Sequence, residues 1–150
     1  MFKSILVGTD GSPTANSAVA EAVRLAQRLE AKLLLVSAYA PVSNVRQRQE
    51  RHALPEDAQW MVGPREDVLG ILEEAEAVAR REGLDGDGVQ TFAREGEAAD
   101  AILDVAEEHG ADLIIVGNKG MTGAKRFLLG SVPDKISHHA PCSVLIIRTT

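Results

Sequence analysis

The chain is predicted to fold as an α/β domain, an open, doubly wound parallel sheet with helices on both faces. Three observations carry this. Short, unbroken apolar runs recur along the 150 residues, and amphipathic helical stretches separate them. The runs are joined by helix-length connections rather than two-residue turns, as parallel neighbours require. The apolar residues are almost all aliphatic, with aromatics at 3% of a chain that is 45% hydrophobic, so Ala, Val, Leu and Ile must fill the core. A chain of this length is expected to form one domain over residues 1–150, burying about two-thirds of its unfolded surface.

The elements follow in order. Ile5-Leu6-Val7 is the first strand, closed by Gly8-Thr9-Asp10-Gly11. Ser12 stands as a helix N-cap with Pro13 at the first helical position, where a missing N–H costs nothing. Ala15, Ala18, Val19, Ala22, Ala26 and Leu29 then recur on one helical face. Leu33 to Val36 is the second strand, ending near Ser37-Ala38. Pro64 opens a second helix with Val68, Ile71, Leu72, Ala75 and Ala79 along one side. Val89 to Ala93 alternates weakly, the pattern of a strand near a sheet edge. A third helix turns Ala98, Ala101, Ile102, Val105 and Ala106 inward and stops at Gly110. Leu113 to Val116 is the fourth strand, Ser131 to His139 a short helix, and Val144 to Ile147 the last strand. Between the second strand and the second helix, Pro41 to Gly63 is longer than ordinary connections and carries a lone Trp60. It is read as a surface excursion, the alternative being a lid over a ligand.

Several function classes are set aside by composition. A net charge of −6 argues against a general nucleic-acid binder, which needs a basic face to displace counterions. The single cysteine, Cys142, cannot form an internal disulfide, and it is expected to be buried rather than reactive. No Cys/His spacing suggests zinc. His138 and His139 are neighbours that point about 100° apart on a helix, so a helix-end role is expected for them, as for His109. No apolar run approaches membrane-spanning length, and the opening run is too short for a signal peptide; a cytoplasmic protein with no membrane partner is expected.

Ligands of open parallel sheets sit at the carboxyl ends of the strands, where the winding reverses. The two segments richest in glycine and polar residues fall there. One is Gly8-Thr9-Asp10-Gly11-Ser12; the other runs from Gly117 through Lys119, Gly120, Lys125 and Arg126 to Gly130-Ser131. Glycines let a phosphate approach main-chain N–H groups without meeting a Cβ, so a side chain at 117 is expected to intrude on it. Ser131 begins a helix whose positive end favours an anion. Asp10 is placed to accept from ribose hydroxyls or to hold a metal-bound water. The same glycines can also serve tight turns alone. Neither the G-x-x-x-x-G-K-[ST] nor the G-x-G-x-x-G fingerprint is present.

With Gly117, two residues, Gly120, nine residues and Gly130-Ser131, and with the opening Ile5 to Ser12, the sequence resembles the universal stress protein family over essentially its whole length. The resemblance implies a five-stranded sheet in the order 3-2-1-4-5, of the adenine-nucleotide alpha-hydrolase-like type. It implies adenine near Ala38, ribose near Asp10, and phosphates on Gly117 to Gly120 and on Gly130, Ser131 and Val132. Gly8, Thr9, Val116 and Lys119 join that shell. ATP, with or without magnesium, is the expected cofactor and cyclic AMP the second choice; no catalytic or metal-ligating residue is assigned. Relatives commonly pair through the last strand. Here Val144, Leu145, Ile146 and Ile147 form an apolar edge with no proline or charge until Arg148, so a two-fold homodimer is expected, the alternative being a loop over that edge. The expected function is a nucleotide-binding regulatory protein of the stress response. The alternatives are a slow ATPase, with Asn118, Thr122 and Asp10 near the loop but no clear base, and a nucleotide-free protein-interaction dimer. The sequence names no downstream protein partner.

Overall fold

The computed structural model describes residues 1–40, 65–118 and 129–148. In chain order these form β1 (Ser4–Gly8), α1 (Pro13–Leu29), β2 (Lys32–Tyr39), α2 (Arg65–Arg81), a single 3-10 turn at Gly86–Gly88, β3 (Val89–Glu95), α3 (Ala98–His109), β4 (Leu113–Gly117), α4 (Ser131–His139) and β5 (Ser143–Ile147). Pro64, Trp60 and the rest of the long connection at 41–63 lie outside the described residues. The strands are all parallel and stand in the order β3-β2-β1-β4-β5, the order the resemblance implies.

Register explains why the central runs are apolar without interruption. Ile5, Leu6 and Val7 lie between Leu33, Leu34 and Leu35 on one side and Leu113, Ile114 and Ile115 on the other. Successive side chains alternate between the two faces of a sheet, and here both faces are covered. Ile5, Val7, Leu33, Leu35, Leu113 and Ile115 pack with α1 and α2 in one core. Leu6, Leu34, Val36, Ile114 and Val116 pack with α3 and α4 in the other. β3 runs two residues beyond the expected Ala93, because β2 continues to pair through Ala38↔Arg94 and Tyr39↔Glu95.

The helix ends follow the local rules. Ser12 Oγ accepts from the Ala15 N–H at 3.2 Å, and Pro13 opens α1. Gly110 closes α3 in the left-handed region, with φ 65°. α1 closes on Glu30, also left-handed at φ 55°, with its N–H directed to the carbonyls of Ala26 and Gln27. At the amino edge of the sheet, the Asp112 carboxylate accepts from the N–H groups of Lys3 and Ser4 at 2.8 and 3.0 Å, tying the entry of β1 to the entry of β4.

Candidate functional site

The winding reverses between β1 and β4, since α1 and α2 cover one face and α3 and α4 the other. The carboxyl ends of these two strands therefore diverge into a crevice. On the β1 side, Thr9 is buried and its N–H continues the pairing by donating to the Val36 carbonyl at 2.9 Å. Thr9 Oγ1 accepts from the Gly11 N–H at 3.1 Å, and Asp10 Oδ1 accepts from the Ser12 N–H at 2.9 Å. The Asp10 carboxylate is thus oriented by the main chain, at the half-buried rim of the crevice. Gly11 holds φ +78°, and a Cβ there would lie 3.1 Å from Ile71 Cγ1 of α2. Only glycine meets both demands.

On the β4 side, Val116 and Asn118 are buried, and the Asn118 N–H donates to the Ile147 carbonyl at 3.0 Å. Val132, in the first turn of α4, belongs to the same core as Val116 and Ala38. The two helices that begin at this edge differ. α1 is capped by its own Ser12 side chain, whereas α4 begins at Gly130, extended at φ −64° and ψ 165°, with no side-chain cap bond. As a glycine, Gly130 has no side chain with which to cap the positive end of α4.

The chain is matched over residues 1–148 by the family model for the universal stress protein family. This chain belongs to the universal stress protein family. A universal stress protein of Mycobacterium tuberculosis strain H37Rv is 35% identical over 151 residues, spanning 99% of this chain and 98% of the relative. The universal stress protein YxiE of Bacillus subtilis is likewise 35% identical over 154 residues, 99% of this chain and 100% of that one. Among solved structures, a universal stress protein in complex with cAMP superposes with a TM-score of 0.72 at 30% identity, covering 99% of this chain and 98% of the other.

Of the shell expected for a universal stress protein nucleotide, the structure sets Gly8, Thr9, Asp10, Ala38, Val116, Gly117, Gly130, Ser131 and Val132 along the carboxyl edge of the sheet and the start of α4. Lys119 and Gly120 lie outside the described residues, as do Thr122, Lys125 and Arg126. A side chain at 117 would also meet the protein itself, since Thr14 Cγ2 of α1 would be 3.1 Å from the new Cβ. The contacts of Thr14 with Gly117 and of Ile71 with Gly11 were missed by sequence reasoning, since periodicity placed Ile71 on a helix face but not against a particular glycine. Ser37 was also missed. Its hydroxyl is buried next to the β1 loop with no hydrogen-bond partner, and its only trace is a polar letter inside an apolar run.

Other titratable groups take structural roles. His109 packs its ring against Phe92 at 4.4 Å, and His138 Nδ1 lies 2.8 Å from the Asp134 carbonyl one turn back. Both are helix-end positions, as expected. Cys142 is half-buried rather than buried, and burial, with Asp112 adding to it, pushes its thiol up. Among the described residues, no three His, Cys, Asp or Glu side chains are grouped to hold a metal ion, and no helix is long and apolar enough to cross a membrane.

Proposed function

We propose that this universal stress protein binds an adenine nucleotide, ATP in preference to cyclic AMP, in the crevice between β1 and β4, and acts as a nucleotide-dependent regulatory homodimer. The observation that supports the reading is that Asp10, oriented by the Ser12 N–H, stands at the end of β1 beside the winding reversal, where β4 also ends, while α4 begins at Gly130 and shares a core with Val116 and Ala38 through Val132. Amides and a positive helix end on one wall suit phosphates. A carboxylate on the other suits ribose hydroxyls, to which it can only accept. The relative solved with cAMP supports an adenine ligand for this architecture. ATP is favoured because Gly130-Ser131 and Gly117 to Gly120 offer more donors than a cyclic phosphate needs.

The homodimer reading rests on β5. Its outer side has no strand neighbour among the described residues, and Leu145 is 40% exposed there. Two copies related by a two-fold axis would continue the sheet through this edge.

The test is direct. Protein purified without added ligand is unfolded and its small molecules identified by mass spectrometry, then ATP and cAMP are titrated by calorimetry. An adenine nucleotide released, and a tighter ATP isotherm, is the expected result. No released nucleotide and no heat with either ligand overturns the reading in favour of a nucleotide-free interaction dimer. Phosphate release over hours separates a binder from a slow ATPase. A bound ligand at 100 times its Kd stabilises the fold by about 2.7 kcal/mol, so ATP should also raise Tm measurably.

A further inference from the structure

Gly117 has a reason to be glycine that a phosphate does not supply. Its φ lies outside the left-handed region, so the backbone there would accept any residue. The obstacle is steric and lies on a particular side. Along β4, Leu113 and Ile115 face α1 and α2, while Ile114 and Val116 face α3 and α4. By the same alternation a side chain at 117 projects towards α1. There a Cβ would stand 3.1 Å from Thr14 Cγ2 and 3.5 Å from the Thr14 carbonyl oxygen. Gly130, Ser131 and Val132 begin α4, on the opposite face. A side chain at 117 would point away from them.

We propose that Gly117 and Thr14 are a positioning pair: the missing Cβ of one seats the methyl of the other, and this seat sets the gap between the β1–α1 loop and the carboxyl end of β4. The proposal rests on the nucleotide reading above, which sets ribose beside Asp10 and phosphate beside Gly117. Thr14 follows directly on the cap formed by Ser12 and Pro13, and the Ser12 N–H holds Asp10. A push on Thr14 is therefore passed through a stiff first turn to the Asp10 carboxylate. β4 cannot yield instead. It is paired with β1 through Ile5↔Leu113 to Val7↔Ile115, and its exit is pinned by the bond from Asn118 to Ile147. Ile71 against Gly11 closes the other side of the same loop, so the first turn of α1 has nowhere to move without disturbing the site.

The seat is tested with Gly117→Ala, Thr14→Ser and the double variant, each measured for Tm without ligand and for ATP and cAMP affinity. Thr14→Ser deletes the Cγ2 methyl and leaves the Thr14 carbonyl oxygen at 3.5 Å, an ordinary contact. Gly117→Ala alone should lower Tm by about 5 °C and weaken nucleotide binding about tenfold. Thr14→Ser alone empties the seat and should lose a smaller part of both, and the double variant should recover most of what Gly117→Ala loses. Recovery of Tm without recovery of affinity overturns the positioning role, because residue 117 would then act on the ligand directly. Failure to recover Tm overturns the seat itself. A wild-type protein that binds neither ATP nor cAMP defeats the nucleotide reading, and the ligand-free Tm cycle still decides the seat.

Discussion

β3 and β5 border the same sheet on opposite sides, yet their side chains are of different kinds. β3 carries Gln90, Thr91, Arg94 and Glu95 among its seven residues. Arg94 lies 5.7 Å from the centre of the Phe92 ring and reaches Glu108 of α3 at 2.7 Å, while Phe92 meets His109. Charge and side chains folded back from α3 make this edge a poor template for another strand. β5 reads Ser143-Val144-Leu145-Ile146-Ile147, with Val144 and Ile146 packed on one core and Ile147 on the other. Leu145 belongs to neither core and stays exposed. The difference teaches that one edge is finished by the chain itself, while the other keeps the composition of an interior strand.

Three substitutions or treatments would break or sharpen this contrast. The largest effect is expected from Leu145→Lys, which places a charge in the centre of the apolar edge. Sedimentation should shift from dimer to monomer with the fold retained by circular dichroism; an unchanged sedimentation coefficient would reject β5 as the interface. A smaller effect is expected from Arg94→Ala on the other edge. The pair with Glu108 is partly exposed, with side-chain accessibilities of 35% and 48%, and such pairs contribute about 0.2–1 kcal/mol. A drop in Tm of about 1–3 °C with unchanged oligomeric state follows. Dissociation by this variant would mean the two edges had been assigned the wrong way round.

The smallest effect concerns Cys142, at the entry to β5. Burial first, and Asp112 second, raise its pKa from the ordinary 9.0, so the folded state favours the neutral thiol. The contribution to stability is complete below the unfolded pKa and is lost as pH rises from there through the folded one. Alkylation by iodoacetamide at pH 8.5 should accordingly be slower in the native protein than in the urea-unfolded chain. Equal rates would show that the approach to β5 opens freely.

Most of the architecture was legible because it is written in local patterns. Leu33 to Val36 and Leu113 to Val116 announce themselves by unbroken apolarity, since both faces of a central parallel strand are buried. Ser12-Pro13 and Gly110 marked helix ends by their own chemistry. The weak alternation of Val89 to Ala93 correctly suggested an edge, but not that pairing continues to Glu95, which depends on how far β2 extends. Of the candidate site, what was legible is that β1 ends at Gly8 and β4 at Gly117, side by side at the winding reversal. What could not be read was the reason for individual residues within them. Gly117 resembles every other glycine in a phosphate-like loop until Thr14, more than a hundred residues away in the chain, is found beside it. Gly11 and Ile71, and the buried hydroxyl of Ser37, are facts of the same kind. They arise from contacts between elements, which periodicity and composition do not name.

The clamp made by Asp112 on Lys3 and Ser4 has a practical corollary. It fastens the entry of β1 at the pole of the sheet remote from the crevice, and Met1 beyond it is 93% exposed. A tether or fluorophore attached at Met1 would hang from that far pole. Molecules immobilised this way would present the crevice between β1 and β4 to the passing solution, so surface-based binding assays could test the proposed ligand without blocking its entrance.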